Sequence, residues 1–318
     1  MSGRVILLLG PTAVGKTAAA MSLFDTLGGA QHVALVSVDS ALVYKGLDIG
    51  TAKPTVAELA NYPHSLVDIR DPVDSYTVAN FVLDADHLIK IALAKGQTVV
   101  LVGGTMLYAK RFIEGIAELP HANPELRNEL QFELEERGKD ALWAELKRLD
   151  PVAAQKIHPN NPQRLLRALE VIRMMGEPIS ELWRKRSGAD ATARLGAEVH
   201  IYGIMPADRM RLHNRIRLRL ERMLSLGFLD EVKVLKARDD LHLDLPSMRS
   251  VGYRQAWQHL EGITTHDEFI ADAATATRRL AKRQMTWLRQ WSGLTPIVKE
   301  APEQIAAQVI EDLSERWI

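Results

Sequence analysis

Gly10, Pro11, Thr12, Ala13, Val14, Gly15, Lys16 and Thr17 have the types and spacing for one kind of chemistry, the binding of phosphate. They fit G-x-x-x-x-G-K-[ST] between an apolar run, "RVILLLG", and a helical stretch from Lys16 to about Leu27 that Gly28-Gly29 closes. In that setting the backbone N–H groups of the turn and the positive end of the helix dipole converge on an anion. Lys16 adds a point charge, and the Thr17 hydroxyl can ligate a Mg²⁺ that bridges phosphate oxygens. The motif alone does not choose between a nucleoside triphosphate and a bare pyrophosphate.

Two further groups belong to the same kind of position. "VALVSVD" ends in Asp39, an acid at the carboxyl end of a strand, where ligands bind in open α/β sheets. Asp39 could hold Mg²⁺ through water, act as a base, or form an Asx turn with Ser40. The long polar connection "YKGLDIGTAKP" after it contains Lys53, which could reach a phosphate or sit in solvent. "VLVGGTMLYAK" offers Gly103-Gly104 for close backbone approach and Thr105 as a hydroxyl beside the same cleft, or as a helix cap.

The elements that must position these residues alternate strand and helix over the first hundred residues. "HVALVSVD" (32–39) and "TVVLVGGT" (98–105) read as buried strands. "SYTVANFVLDADHLIKIALAKG" (75–96) reads as an amphipathic helix with Ser75 as its N-cap and Gly96 as its stop. The fold class is therefore α/β, a P-loop NTPase-like core whose parallel sheet is flanked by helices. From about residue 120 the pattern becomes helical, with Asn123 and Pro124 opening "NPELRNELQFELEERG", then "DALWAELKRLD" and "NPQRLLRALEVIRMMG". No strand follows until "VHIYGIM" (199–205). We divide the chain into a core, 1–119 with 196–318, and an all-helical insertion, 120–195. "RSGADATARLG" (186–196) is the most loop-like stretch, and "TPIVKE" offers a last strand before a helix opening at Pro302.

Charge totals are silent, with 40 basic and 40 acidic residues, so its distribution carries the argument. In "RMRLHNRIRLRLERM" (209–223), Arg215, Arg219 and Arg222 share one helix face while Leu212, Ile216 and Leu220 face another way. Glu221 is the one acid between Asp208 and Asp230, so these arginines lack local neutralisation and suit a phosphate clamp. No acid stands between Asp272 and Glu300, where "RRLAKRQMTWLRQW" interleaves basic residues with Trp287 and Trp291. That combination supplies phosphate neutralisation and stacking surface, and points to a polyanion larger than a nucleotide. The chain has no cysteine, which excludes disulfides and thiolate metal sites and suits the cytoplasm. No apolar run approaches the ~20 residues of a membrane span, and Val5 to Leu9 is too short for a signal peptide.

In their order, "GPTAVGKT", "VDSALVYKGLDIGTAKP", "LVGGTMLYAK", "NPQRLLRALEV", "SMRSVGYRQAW" and "KRQMTWLRQW" resemble the bacterial tRNA dimethylallyltransferases, or tRNA isopentenyltransferases. The stretches span residues 10 to 291. Val14 stands where that family would have serine, and Met106 where glycine is usual. The resemblance implies transfer of a dimethylallyl group from dimethylallyl diphosphate to N6 of the adenine just 3′ of the anticodon, in tRNAs reading codons that begin with U. It implies that the loop from Gly10 to Thr17, with Mg²⁺ on Thr17, holds the departing diphosphate. Lys16, Arg215 and Arg219 would complete the anion clamp, with Lys53 as a further candidate. Asp39 would take the proton of the attacking amine, and Thr105 would line the channel beside it.

By the same resemblance, the anticodon stem-loop would meet Asp39, Ser40, Ala41, Leu42 and Thr105 in the core. Gln163, Arg164, Leu165, Leu166 and Arg167 would meet it in the insertion, with Arg127 as a weaker candidate. Two later stretches complete the interface. The first is Arg249, Ser250, Val251, Gly252, Tyr253 and Arg254. The second is Lys282, Arg283, Gln284, Met285, Thr286, Trp287, Leu288 and Arg289. The expected partners are tRNA and dimethylallyl diphosphate, with no membrane, the cofactor is Mg²⁺, and the protein is expected to be a monomer. A small-molecule P-loop kinase using ATP is the alternative reading, and a non-catalytic RNA-binding NTPase is a third. A kinase has no evident use for either "DSALVYKG" or the acid-free basic segment.

Overall fold

A computed structural model describes residues 3–116, 119–184 and 190–315. It has six strands: β1 (Gly3–Leu9), β2 (Val33–Val38), β3 (His64–Ser65), β4 (Thr98–Gly103), β5 (Ala197–Ile204) and β6 (Thr295–Ile297). They form one sheet in the order β3-β2-β4-β1-β5-β6, and every pairing is parallel. The helices of the first part are α1 (Lys16–Thr26), α2 (Val56–Asn61), α3 (Val78–Ala94) and α4 (Met106–Glu114). The middle part holds α5 (Pro124–Leu149), α6 (Pro151–Lys156), α7 (Pro162–Met175) and α8 (Ile179–Arg184). The last part holds α9 (Ala191–Leu195), α10 (Arg209–Ser225), α11 (Phe228–Lys236), α12 (Tyr253–Leu260), α13 (His266–Arg289) and α14 (Pro302–Glu315).

The apolar run of β1 is buried from Val5 to Leu9 because both faces of a parallel sheet are covered. Ile6 and Leu8 pack with Ala19, Leu23 and Phe24 of α1 and with Ile305, Val309 and Leu313 of α14. Alternation turns Gly3, Val5 and Leu7 to the opposite face. There α3 passes so close that a Cβ on Gly3 would sit 2.5 Å from the Leu93 side chain.

The chain divides into two compact units, residues 1–113 with 191–318, and residues 114–190. The boundaries expected from the sequence, 120 and 195, fall a few residues later in the chain. Of the stretch read as a loop, 186–189 lies outside the described residues, and Ala191–Leu195 is the short helix α9. The cap of α3 is Thr77 rather than Ser75. Its hydroxyl accepts from the Asn80 N–H at 3.2 Å, and Asn80 Oδ1 accepts from the Thr77 N–H at 3.0 Å. Strand β3 escaped the sequence reading because two residues carry no periodicity.

Within the second unit, Gly138 has φ 76° and breaks α5, so its two halves fold back on an apolar cluster of Leu130, Leu142, Leu146, Leu165 and Leu169. Leu165 is fully buried in that cluster, which corrects its expected place on the RNA-contacting face. Glu170 is buried as well and gathers the unit's N-terminal turn. It accepts from the Asn123 N–H at 2.8 Å, Arg127 Nε at 3.2 Å and an Arg167 guanidinium nitrogen at 2.8 Å. A second Arg167 nitrogen donates to the Pro120 carbonyl at 2.6 Å. Arg127 and Arg167 are thus ion-paired fold anchors, while Gln163 and Arg164 are exposed.

Burial pushes the Glu170 carboxyl up, but the bonds from Arg167 and Asn123 and the charges of Arg167 and Arg127 outweigh it and hold it low. A depressed carboxyl contributes stability in full above its unfolded pKa of about 4.3 and loses it as pH falls through the folded value. Glu170→Gln removes that contribution. We expect its unfolding midpoint, followed by hydrogen exchange in residues 120–170, to be lower than wild type at pH 7 and to converge with it below about pH 4.

Candidate active site

Strand β4 lies between β1 and β2, and its last residue, Gly103, is opposite Leu9 of β1 and Val38 of β2. Parallel pairing therefore sets the three following segments side by side: the loop from Gly10, the acid Asp39 and the Gly104-Thr105 turn. The approach is close. A Cβ on Gly103 would sit 2.1 Å from the Val38 carbonyl oxygen, which only glycine tolerates.

In the phosphate loop, Ala13 (φ 64°) and Gly15 (φ 99°) are left-handed, which curls the backbone ahead of α1. Val14 points inward and joins the core with Ile6, Leu8 and Ile204. The departure from serine there is thus a packing feature. Met106 is likewise buried, at the start of α4. Lys16 Nζ donates to the Pro11 carbonyl at 2.8 Å, spanning the loop. Burial lowers its pKa to about 8, with Asp39 pulling it up and Arg219 pushing it further down. Thr17 is exposed at the start of α1.

Asp39 forms the Asx turn that the sequence allowed. Its Oδ1 accepts from the N–H groups of Ala41 at 2.8 Å and Leu42 at 3.3 Å. Among the described residues no group hydrogen-bonds its Oδ2. The turn fixes the carboxylate plane and leaves the second oxygen open, so the Asx turn does not preclude a chemical role. Thr105 stands beside it: Thr105 Oγ1 accepts from the Ser40 N–H at 3.0 Å and donates to Ser40 Oγ at 3.3 Å.

Arg219 comes from α10, whose Leu212, Ile216 and Leu220 are buried as the periodicity requires. Arg219 turns inward, donates to the Thr51 carbonyl at 2.8 Å, and interacts electrostatically with Asp39 and Lys16. Burial holds its pKa below the usual guanidinium value, against the pull of Asp39. Arg215 does not join it as a bare clamp. It pairs with Glu300 at 3.2 Å, an acid from beyond β6 that the local charge count could not see. Lys53 is also corrected. Its ammonium donates to the Tyr44 carbonyl at 2.8 Å, to Asp48 at 2.6 Å and to Asp68, and its side chain is 3% exposed. All three donors are committed to the loop's own fold.

The basic stretch on α13 is two-sided. Lys282, Arg283, Thr286 and Arg289 are exposed, Met285 and Trp287 are half-buried, and Gln284 and Leu288 are buried. Gln284 is no surface contact. Its Oε1 accepts from the Thr12 N–H at 2.8 Å, and its Nε2 donates to the Gly104 carbonyl at 2.9 Å, joining the phosphate loop to the β4 turn. A Cβ on Gly104 would come within 2.6 Å of that Nε2. Between α10 and α13 runs a cleft of about 290 Å³. Arg209, His213, Arg278, Arg279, Lys282 and Arg289 line it, with no acid among its residues, over a floor of Leu212, Ala281 and Met285. Burial and the charges of Arg209 and Arg278 hold His213 below its usual pKa. In the 249–254 stretch, Arg249 and Arg254 are exposed and Ser250 and Val251 half-buried, but Gly252 and Tyr253 are buried.

The IPP transferase family model matches residues 42–291. The tRNA isopentenylpyrophosphate transferase of Bacillus halodurans is 34% identical and superposes with a TM-score of 0.69, over 98% of this chain and 97% of that one. The tRNA delta(2)-isopentenylpyrophosphate transferase of Staphylococcus epidermidis is 26% identical, with a TM-score of 0.68 and 99% of both chains covered. A eukaryotic dimethylallyltransferase acting on tRNA, at 22% identity, shares the fold with a TM-score of 0.80 over 99% of this chain and 80% of that one.

Gln284→Leu removes both partners at once and leaves the part-buried Thr12 N–H and the buried Gly104 carbonyl without those bonds, at a cost of about 1–3 kcal/mol for the carbonyl and less for the N–H. We expect a lower denaturation midpoint and pyrophosphate affinity reduced at least about tenfold by calorimetry, because the loop loses its outer tether. Unchanged pyrophosphate affinity would show that the loop keeps its shape without Gln284.

Proposed function

The chain belongs to the IPP transferase family, and from that premise we propose that it transfers the dimethylallyl group of dimethylallyl diphosphate to N6 of an adenine in tRNA. The adenine is the one 3′-adjacent to the anticodon in tRNAs that read U-initial codons, and the protein acts on the anticodon stem-loop as a monomer. One observation carries the reading: Asp39 presents a carboxylate oxygen without a bonded partner beside a phosphate loop, Lys16 and Arg219.

In the transfer, the N6 nitrogen attacks C1 of the dimethylallyl group, the C1–O bond breaks, and the diphosphate leaves with the bonding pair. The N6 proton passes to Asp39 Oδ2. Asp39 orients the amine through the same contact, and Thr105 and Ser40 hold the wall of the channel beside it. The loop N–H groups, Lys16 and Arg219 stabilise negative charge as it accumulates on the leaving group. Among the described residues no three His, Cys, Asp or Glu side chains gather to cage a metal. The exposed Thr17 hydroxyl is instead the hard oxygen donor that suits a Mg²⁺ ion shared with diphosphate. Magnesium bound there would neutralise part of the diphosphate charge.

RNA contact is assigned to exposed groups: Ser40, Gln163 and Arg164, Arg249 and Arg254, and Lys282, Arg283, Thr286 and Arg289. Trp287 adds a half-buried ring with the Lys110 ammonium 5.4 Å from its centroid. The acid-free cleft between α10 and α13 supports a polyanion partner, because five arginine and lysine side chains line it with no acid among its residues to neutralise them. Among the described residues no helix is long and apolar enough to cross a membrane.

The decisive assay supplies Mg²⁺, labelled dimethylallyl diphosphate and unmodified tRNA, and label is expected in the tRNA. ATP hydrolysis with no incorporation would establish the kinase or NTPase reading instead. Asp39→Ala should lower incorporation by about 10²–10⁴-fold while tRNA affinity stays within about twofold. Arg283→Ala should weaken tRNA binding and reduce the slope of log K against log salt by about 1. With Lys16 lowered to about 8, kcat/KM for dimethylallyl diphosphate should fall as pH rises past that value, since the neutral amine no longer attracts the diphosphate.

A further inference from the structure

The loop between β2 and α2, which contains Thr51, has no regular structure from Gly46 to Pro54, yet its backbone is fixed at one place by a single carboxylate. Glu231 on α11 accepts from the N–H of Asp48 at 3.0 Å and of Ile49 at 2.7 Å through Oε2. Its Oε1 accepts from the Gly50 N–H at 3.1 Å and from the Tyr253 hydroxyl at 2.5 Å. Burial and the charge of Glu231 raise the Tyr253 pKa, so that hydroxyl stays a donor. Gly50 lets the loop come this near: a Cβ there would sit 2.2 Å from the Phe228 ring and 2.6 Å from that of Tyr253. The two rings meet edge to face at 5.2 Å and form the wall on which the loop rests.

The residue after Gly50 is Thr51, whose carbonyl accepts the Arg219 guanidinium. We infer that Glu231 is a positioning residue for the transfer: by gathering three consecutive N–H groups it sets the Thr51 carbonyl that holds Arg219 beside Asp39 and Lys16. An exposed loop carbonyl would move with its loop, and Arg219 would then lose the acceptor that keeps its charge inside the site. A carboxylate suits the task because four donors converge on two oxygens, whereas an amide would turn N–H groups against N–H groups. This gives "GLDIGTAKP" and "SVGYRQAW", apart in sequence, a shared physical role through the Gly50–Tyr253 contact. The inference rests on the transferase reading for its effect on turnover, and on the geometry alone for its effect on anion binding.

The test is a double-mutant cycle in the full-length protein, with Glu231→Gln, Arg219→Ala and the pair. Glu231→Gln should lower kcat/KM for dimethylallyl diphosphate and the affinity for inorganic pyrophosphate by about tenfold, with tRNA affinity unchanged. In the Arg219→Ala background the same change should have almost no further effect. A loss of stability alone would lower tRNA and pyrophosphate affinity together, and would do so in both backgrounds. Tyr253→Phe, which removes one of the four bonds, serves as the second variant should Glu231→Gln not fold. It should give a loss of about threefold that also vanishes without Arg219. Equal losses with and without Arg219 would overturn the inference. Should the wild type incorporate no label into tRNA, the transferase reading fails, and the pyrophosphate cycle still decides the role of Glu231.

Discussion

The candidate site depends on where β4 pairs. Because Gly103 lies opposite Leu9 on one side and Val38 on the other, three chain segments far apart in sequence leave the sheet at one level. Neighbouring strands are about 4.8 Å apart, so this register alone brings the phosphate loop, Asp39 and Thr105 within reach of a single small substrate. A one-residue slip of β4 would turn its side chains to the other face and drive a Cβ into the Val38 carbonyl. The apolar burial on both faces of the sheet therefore fixes the site as firmly as it fixes the fold.

What the sheet brings together is electrostatically unbalanced. Lys16 and Arg219 are two enclosed cations around one carboxylate, and burial lowers the pKa of both. Such an excess of positive charge is costly without an anion and favourable with one, which suits a site whose ligand carries a diphosphate. The local backbone also serves the proposed role of Asp39: the Asx turn commits one oxygen to the backbone while the other remains open.

Much of this was legible in the sequence because it depended on local pattern. Strands β1, β2 and β4, the loop and its helix, and the shared face of Leu212, Ile216 and Leu220 all follow from periodicity, glycine and capping chemistry. What was misread depended on partners distant in the chain. Arg215 looked unneutralised because Glu300 lies 85 residues away. Lys53 looked available for phosphate because Asp48 and Asp68 fold back on it only in three dimensions. Glu231 carried no signal at all, being one acid on a charged amphipathic helix. A segment-level resemblance also blurred burial: Leu165, Tyr253, Gln284 and Leu288 fell inside expected RNA-contact stretches but lie in the interior.

Gln284 shows why that blurring has a physical origin. Residues one or two positions apart on a helix point in different directions, so a stretch facing RNA necessarily contains residues facing inward. On α13 the inward one is a neutral amide, which supplies an acceptor to Thr12 and a donor to Gly104 without adding charge. A lysine or arginine there could not accept from the Thr12 N–H and would add a third cation beside Lys16. A carboxylate could not donate to the Gly104 carbonyl and would compete with the diphosphate for the loop. Lys282 and Arg283 immediately precede this amide and face solvent, so the helix proposed to meet RNA is the same element that ties the phosphate loop to the β4 turn. On the proposed reading, RNA docked on its outer face would act on an element whose inner face is already part of the candidate site.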